Sequence, residues 1–357
     1  MQDGRLMTER IGRCHIAVSR RVFLAELGGL AAASVLHSSG ASAQVTSSTP
    51  NLPFRIDTHH HYTVPSLRTE LIKANQQPML DWTLQKSLED MDRGGVATAI
   101  LSVGEPGLWF GDDAAARRLA RECNESGAQI VRDHPGRFGL FAALPLPDVD
   151  GALREVEYAL DVLHADGICV LSSYQGHYLG NVIFAPLMNE LNRRKTLVYC
   201  HPSCAACASG GAYRTDLAES QNRSVEFVFD TTRTIVSLLA SGTVTRCPEI
   251  RFIWSHGGGT VPFITGRLGN AAPRLPNGVI SELQKFYYDT ALAFSPYTLA
   301  SFKKLIPSTQ ILFGTDFPFG SGSPVANGLA ADGGFTAAEL RAIERGNALQ
   351  LMPRLKM

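Results

Sequence analysis

The sequence predicts a (β/α)₈ barrel, the TIM-barrel type of α/β fold, and three observations support this. Short apolar runs alternate with helical patterns along the chain, and alternation of this kind indicates a parallel sheet. Eight such runs follow one another over about 260 residues, the ordinary size of an eight-stranded barrel. The first run ends in consecutive histidines rather than in a glycine-rich turn, so an open doubly wound sheet is the weaker alternative.

The predicted strands are short and rich in β-branched or aromatic residues, as expected of strands buried on both faces. They cover residues 54–59, 97–103, 137–145, 167–173, 196–201, 250–256, 286–292 and 310–316. Helical spacing predicts helices over residues 112–131, 150–163, 184–194, 224–241, 262–268, 296–305 and 336–351. The last begins with the capping-box pair Thr336 and Glu339. Within a single domain over residues 54–357, the long excursion at 62–92 predicts an insertion or small lid.

Composition excludes several classes of protein. Of the 357 residues, 45% are hydrophobic and 18% charged, which is typical of globular chains and unlike disordered, collagenous or coiled-coil ones. Lys plus Arg and Asp plus Glu number 33 each, so no excess positive charge is available for a nucleic-acid backbone. No apolar run approaches the length of about 18 residues that a membrane-spanning helix needs. Neither a nucleic-acid partner nor a membrane span is therefore expected.

Residues 1–43 have the pattern of an export signal. Arg20 and Arg21 precede a mildly apolar stretch at 23–36, and Ala41-Ser42-Ala43 matches the small-x-small pattern of a signal-peptidase site. This order resembles a twin-arginine signal, followed by a short linker at 44–53. It predicts export by the twin-arginine machinery to the periplasm. The alternative is a disordered or helical N-terminal arm on a cytoplasmic protein.

Three cysteines form a local cluster, Cys200, Cys204 and Cys207. The last two make a Cys-x-x-Cys pair, but the second such pair that a zinc ribbon requires is missing from the sequence. The pattern fits a disulfide within the loop, which the periplasm permits, and unremarkable thiols equally well.

Four histidines and one aspartate stand near the carboxyl ends of predicted strands. His59 and His61 end the first strand, His201 the fifth, His256 the sixth and Asp316 the eighth. Alternate residues of a strand share a face, so the first two converge while the histidine between them points away. Because all strands of a barrel end at one mouth, these five side chains are predicted to meet there.

Imidazoles combined with a carboxylate suit a borderline divalent ion, so one Zn²⁺ is expected, with Mn²⁺, Fe²⁺ or Co²⁺ as alternatives. His59, His61 and Asp316 are the predicted core ligands, and His201 is a fourth ligand or a close neighbour. A position then stays open for water or substrate, as in catalytic sites. His256, which precedes three glycines, is the predicted acid/base, and Asp316 is a second group able to relay a proton.

At these residues the chain resembles the amidohydrolase superfamily, in its aminocarboxymuconate-semialdehyde decarboxylase-like branch. The matching motifs are Ile-Asp-Thr-His-His-His ending at His61, Cys-His-Pro at His201, Ser-His-Gly-Gly-Gly at His256 and Gly-Thr-Asp-Phe-Pro at Asp316. They occur in the same order as in that branch, and the resemblance covers nearly the whole predicted barrel. It implies a metal-dependent hydrolase-like barrel in which one metal is bound by four residues, His59, His61, His201 and Asp316. It also implies that His256 activates the metal-bound water.

The resemblance also implies a homodimer in which arginines near the subunit interface bind the substrate carboxylate. Arg274 lies near the expected place but is displaced, and Arg68 in the excursion is a second candidate.

Other stretches resemble the salicylate-type decarboxylases of this branch, the 6-methylsalicylate decarboxylases among them. These stretches are residues 106–112, 121–125, 144–151 and 178–180. Trp109, Phe110, Tyr174 and His177 follow the second and fourth predicted strands, at the same mouth. They are the predicted walls for a flat aromatic ring, although each is also compatible with ordinary loop packing.

The predicted reaction is non-oxidative loss of CO₂ from an aromatic or unsaturated carboxylic acid. The alternative is hydrolysis of an ester, lactone or amide by metal-activated water, because the same ligands serve both reactions. A periplasmic protein that only captures a metal or an aromatic acid is a third possibility. It is disfavoured because a binder needs no open metal position beside a spare histidine. No Schiff-base lysine motif or dinucleotide fingerprint is visible, so no organic cofactor is expected.

Overall fold

The computed structural model describes residues 54–73, 77–203, 219–269, 275–332 and 334–356. Eight parallel strands pair with their neighbours in chain order. We number them β1 (Arg55–His61), β2 (Val96–Ser102), β3 (Phe138–Ala143), β4 (Gly167–Leu171), β5 (Leu197–His201), β6 (Arg251–Trp254), β7 (Tyr287–Asp289) and β8 (Ile311–Leu312). A parallel bridge between His60 and Phe317 brings the first and last strands together. The predicted (β/α)₈ barrel is confirmed, and each predicted strand coincides with one of the eight.

The strands are buried on both faces, which explains why their sequences are apolar throughout rather than alternating. One apolar cluster draws a side chain from nearly every strand and therefore fills the inside of the barrel. Its strand members are Ile56, Ile100, Phe141, Cys169, Leu197, Tyr199, Ile253 and Leu312. A larger cluster joins the other faces of the strands to the surrounding helices. The side chains at the strand ends thus rest on a filled core.

Fourteen α-helices lie within the described residues. They are α1 (Pro65–Lys73), α2 (Gln77–Leu80), α3 (Leu84–Arg93), α4 (Asp113–Asp133), α5 (Val149–Glu157), α6 (Ala185–Arg193), α7 (Glu219–Ala240), α8 (Thr243–Arg246), α9 (Val261–Leu268), α10 (Gly278–Leu283), α11 (Pro296–Leu305), α12 (Gly322–Asp332), α13 (Ala337–Arg341) and α14 (Asn347–Leu351). Polar side chains start several of them: the Asp112 carboxylate accepts from the backbone N–H of Ala115 ahead of α4. None of these helices is long and apolar enough to cross a membrane.

The predicted last helix is divided into two. Its capping box at Thr336 and Glu339 is present, but a π-helical turn at Ala342–Gly346 separates α13 from α14. The Ile343 carbonyl in that turn accepts a hydrogen bond from the backbone N–H of Phe313, just after β8. This contact ties the end of the chain to the barrel and explains the irregularity that helical periodicity alone did not predict.

The excursion after β1 contains α1 and α2 in addition to α3, which packs against β2. A lid function for it stays a prediction. The predicted signal and linker at 1–53, together with Cys204, Cys207 and Arg274, lie outside the described residues. The described cysteines, Cys123, Cys169, Cys200 and Cys247, are buried free thiols.

Candidate metal centre and active site

Four side chains converge at the carboxyl ends of the strands. One ligand atom each from His59, His61, His201 and Asp316 lies within 4.8 Å of the others, and all four residues are buried. The Nε2 atoms of His59 and His61 are 3.1 Å apart. Asp316 Oδ1 lies 3.0 Å from the first and 3.1 Å from the second. These four residues form a metal-binding site, as predicted.

The other ring nitrogen of every histidine here is already occupied. Nδ1 of His59 faces the Asp289 carboxylate at 2.8 Å, and Nδ1 of His201 faces the Pro202 carbonyl at 2.8 Å. Nδ1 of His61 lies 3.2 Å from the hydroxyl of Ser102, whose carbonyl is also in reach. Carboxylates and carbonyls can only accept, so in the neutral rings of His59 and His201 Nδ1 donates and Nε2 keeps a lone pair. The same tautomer of His61 directs its Nε2 lone pair to the site. Three such lone pairs and a carboxylate facing one point are a donor set that suits a divalent cation.

Burial and neighbouring charges set the protonation of the four ligand residues. Burial, with the positive charge of neighbouring histidines, lowers the pKa of His61 and lowers that of His201 well below its ordinary value, so both are neutral near pH 7. Burial also opposes the charged form of His59, but Asp289 and Asp316 outweigh it and raise its pKa to about 10. Burial would raise the pKa of Asp316, yet the surrounding histidines hold it well below its usual range. Metal binding at His59 therefore displaces a proton.

His256 stands beside the carboxylate rather than within the ligand set. Its Nε2 lies 3.9 Å from Asp316 Oδ2, and its Nδ1 faces the Ala291 carbonyl at 3.0 Å. The backbone of both residues is left-handed, with φ of 52° at His256 and 64° at Asp316. Side-chain-bearing residues adopt this region at a cost of about 1–3 kcal/mol and are concentrated in functional sites. The arrangement leaves Nε2 of His256 as the nitrogen able to exchange a proton with the site.

The three glycines after His256 form a defined turn. Gly257, Gly258 and Gly259 all have positive φ, between 62° and 76°. A Cβ at Gly259 would lie 2.1 Å from the Val228 carbonyl oxygen, so the turn presses against α7. Glycine is required here for backbone conformation and close approach, which excludes a merely flexible loop.

Comparison with known proteins agrees with this geometry. A family model described as "Amidohydrolase" matches residues 56–354. The chain belongs to the amidohydrolase family. The 6-methylsalicylic acid decarboxylase acuB of Aspergillus aculeatus is 36% identical over 332 residues, which cover 85% of this chain and 97% of that protein.

Two solved structures extend this amidohydrolase likeness to the fold. The 2,6-dihydroxybenzoate decarboxylase from Rhizobium superposes with a TM-score of 0.70 at 25% identity, covering 85% of this chain and 99% of that one. A second structure of an enzyme with that name, complexed with 2,6-dihydroxybenzoate, has the same TM-score and identity and covers 85% and 100%. These relatives are decarboxylases, which are carbon–carbon lyases, and the predicted superfamily and reaction class are confirmed.

In this family member, the Asp57 carboxylate links the first strand, β1, to the segment that follows the last strand, β8. Its Oδ1 accepts from the backbone N–H groups of His59 and Thr315, each at 3.0 Å. Its Oδ2 accepts from the Thr315 hydroxyl at 2.6 Å and from Nδ1 of His60 at 2.9 Å. His60 thus points away from the metal-binding site, as predicted. Asp57 therefore holds Thr315, the residue before Asp316, against β1, the strand that carries His59 and His61.

A second buried carboxylate anchors the turn after His201. Asp230 on α7 accepts a hydrogen bond from the Ser203 hydroxyl at 3.0 Å. The hydroxyls of Ser172 and Ser173, at the end of β4, donate to the same carboxylate oxygen. Because Ser203 lies two residues after His201, this network holds the ligand-bearing turn to the neighbouring strand.

The sequence did not predict the aromatic side chains that contact the metal-ligating histidines. Tyr199 lies edge-on to His59 at 5.3 Å between ring centroids and stacks on Phe141 inside the barrel. The Phe227 ring is 6.0 Å from His201, and the Phe319 ring is 6.2 Å from His61. Phe319 directly follows the Gly-Thr-Asp-Phe-Pro motif, so its position beside that motif was an available signal. Phe227 lies within a helix and gave none.

The predicted ring walls lie elsewhere on the rim. Trp109 donates from Nε1 to Asp113 at 2.8 Å, and Phe110 and His177 are exposed. In the described part of the chain, no hydrogen bond or ring contact joins these three to the four ligand residues. Arg68 is exposed on α1. The substrate-binding role of all of them stays a prediction.

Removing a ligand should remove the metal. We expect His59→Ala and Asp316→Ala each to weaken metal binding by more than about 100-fold, because loss of an outer-shell partner alone costs 10–100-fold. Metal content after desalting, measured by elemental analysis, checks this. His177→Ala is the matched control and should retain the wild-type metal content. Stoichiometric metal in both ligand variants would contradict the assignment.

Proposed function

We propose that this protein is a metal-dependent decarboxylase that removes CO₂ non-oxidatively from an aromatic carboxylic acid of the salicylate type. The observation that carries the proposal is the convergence of four ligand atoms at the barrel mouth, with His256 beside the second oxygen of Asp316. The similar proteins are decarboxylases, and this supports decarboxylation over hydrolysis. The metal ligands alone do not separate the two reactions, because both use the same four residues.

The reaction requires one proton. The ring carbon that bears the carboxylate takes up the proton, the bond to the carboxylate breaks, and its electron pair returns to the ring as CO₂ leaves. His59, His61, His201 and Asp316 would hold a metal ion, which would supply positive charge beside the substrate carboxylate. His256 holds its Nδ1 proton on the Ala291 carbonyl, so its Nε2 is the atom that gives the proton, with Asp316 Oδ2 as its neighbour.

The aromatic rings around the ligands suit a flat substrate. Tyr199 closes the site on the barrel side, and Phe227 and Phe319 stand against His201 and His61. We propose that the latter two contact the substrate ring and exclude water from the carbon that is protonated. The ion itself is proposed to be Zn²⁺, with Mn²⁺, Fe²⁺ or Co²⁺ as candidates, because imidazole and carboxylate donors suit each of them.

Replacing the proton donor should separate metal binding from turnover. We expect His256→Asn to keep the wild-type metal content and to lower kcat by about 100- to 10,000-fold, the usual contribution of a general acid or base. CO₂ release from salicylate, 6-methylsalicylate and 2,6-dihydroxybenzoate would be measured beside acid formation from aryl esters and lactones.

The wild-type protein gives the deciding comparison in that assay. Acid formation from an ester or lactone, with no CO₂ from any benzoate, would establish the hydrolase instead. Tight binding of the benzoates without any turnover would indicate a binding protein.

We also propose a homodimer whose interface includes the face of α9 and α11. Phe263 is 86% exposed and Tyr297 89% exposed, and they lie on these two contacting helices. Both residues are in the first turn of helices that follow barrel strands, so this face adjoins the mouth. Large apolar side chains left this exposed on contacting helices are typical of a surface that another protein covers, and a second copy is the partner expected from the family resemblance.

Charge placed on this face should dissociate the dimer. We expect Phe263→Glu combined with Tyr297→Glu to raise the dimer Kd by roughly 30-fold or more, since loss of a central aromatic contact costs about 2 kcal/mol. Sedimentation velocity at micromolar protein checks this. Val162→Glu, at a 57% exposed apolar residue that precedes β4 at the opposite end of the barrel, is the control. A monomeric wild-type protein would refute the proposal.

We further propose that residues 1–43 direct export by the twin-arginine route. The support is the order Arg20-Arg21, apolar stretch and Ala41-Ser42-Ala43. Replacing both arginines by lysine should keep the protein in the cytoplasm of a bacterial host, while the unaltered chain reaches the periplasm and is cleaved after Ala43. Cell fractionation and the intact mass of the product test this. Equal distribution of the two forms would favour an N-terminal arm.

A further inference from the structure

Asp289, at the end of β7, is an acceptor shared between two parts of the site, behind the metal ligands. The residue is fully buried. Its Oδ2 accepts from Nδ1 of His59 at 2.8 Å. Its Oδ1 accepts from the backbone N–H groups of His256 at 2.9 Å and Ala291 at 3.0 Å. One carboxylate therefore contacts both a ligand and the turn that carries the acid/base.

The first contact decides which nitrogen of His59 faces the metal. A carboxylate accepts and does not donate, so Nδ1 of His59 must carry a hydrogen. In the neutral ring that can bind a metal, the lone pair is then on Nε2, which lies 3.0 Å from Asp316 Oδ1. With a donor in place of Oδ2, the hydrogen of a neutral His59 would move to Nε2 and block ligation.

The second contact orients the acid/base. Oδ1 holds the backbone of His256 in its left-handed conformation and also holds the N–H of Ala291. The Ala291 carbonyl in turn accepts from Nδ1 of His256 at 3.0 Å. The position of the His256 ring thus depends on Asp289 through two hydrogen bonds.

The space beside Asp289 and His59 is closed on the side of the segment after β8. A Cβ at Gly314 would lie 2.8 Å from Cβ of Asp289 and 3.0 Å from Cβ of His59. Backbone therefore packs directly against both residues from the β8 side. A close neighbour on that side limits how far either side chain can shift to find another partner.

We propose that Asp289 is a positioning residue that sets the ligating nitrogen of His59 with one oxygen and the orientation of His256 with the other. The inference rests on the proposed metal-dependent function of this site. Asp289 is not itself among the residues proposed to touch metal or substrate.

Two substitutions separate the roles of the two oxygens. Asp289→Asn retains an oxygen for the N–H groups of His256 and Ala291, and its amide group donates to Nδ1 of His59. We expect it to lower the affinity for Zn²⁺ by 10- to 100-fold, measured by competition with a chromophoric chelator. Asp289→Ala removes both contacts and should also lower kcat at least 10-fold when Zn²⁺ is saturating.

The matched control is Glu155→Gln on α5. Glu155 is also a buried carboxylate, and it accepts from Arg121 and Asn124 away from the metal-binding site. This variant should bind Zn²⁺ as tightly as the wild type. Wild-type Zn²⁺ affinity in Asp289→Asn would overturn the inference, and wild-type kcat in zinc-saturated Asp289→Ala would overturn its second half.

A measurement on the wild-type protein keeps the test decisive if a variant fails to fold. In protein labelled with ¹⁵N-histidine and loaded with ¹¹³Cd²⁺, His59 should show metal coupling at Nε2 and an attached hydrogen at Nδ1. Metal coupling at Nδ1 would refute the inference. Failure of the wild-type protein to bind any divalent metal would instead refute the proposed function, so the two failures are distinguishable.

Discussion

Closure of the barrel between β1 and the segment after β8 is the constraint on which the site depends. β8 contributes only two residues to the sheet. Most of the hydrogen bonds between the last part of the barrel and β1 are therefore made by the residues that follow β8. The backbone N–H of Asp316 donates to the His59 carbonyl at 2.8 Å, and that of His61 donates to the Phe317 carbonyl at 2.8 Å. The same hydrogen bonds that close the barrel therefore place the carboxylate ligand beside the two imidazoles of the first strand.

The site also concentrates features that are costly elsewhere in a protein. Buried carboxylates and imidazoles lie in contact, and burial disfavours the charged form of each. His256 and Asp316, the two residues proposed to handle the proton, both have left-handed backbones. Asp57 and Asp289 offset these costs, because each accepts several hydrogen bonds from the surrounding backbone and side chains. The groups are thus held in place before a ligand arrives, which reduces the reorganisation that catalysis requires.

Much of this could be predicted from the sequence because the barrel converts strand order into spatial proximity. His59 and Asp316 are far apart in the chain, yet both follow from the rule that parallel strands end at one mouth. Asp289 obeys the same rule and was missed because the predicted strand extended to residue 292 and hid its end. Phe227 reaches His201 from a helix, where apolar spacing indicates core packing and carries no information about the neighbouring strand.

The predicted substrate contacts stand on loops, where strand order carries less information. Trp109 was selected for its position after a strand, and its indole N–H donates to Asp113 at the start of α4, while its contact with a substrate stays a prediction. Strand order fixes where a loop begins, while the direction of its side chains depends on local hydrogen bonds. Metal ligands that stand on strands could therefore be predicted from strand order, whereas the ring walls on loops stay predictions.

The hydroxyl network at Asp230 has a consequence for how this scaffold tolerates variation. Ser203 is tethered to the end of β4 and to Asp230 on α7, so side chains from two neighbouring elements hold the turn that bears His201. Substitutions elsewhere on β4 or α7 can then accumulate without moving the imidazole, provided that Asp230 and its hydroxyl partners are kept. A fixed chemical centre and a variable surrounding scaffold are in this way compatible within one barrel.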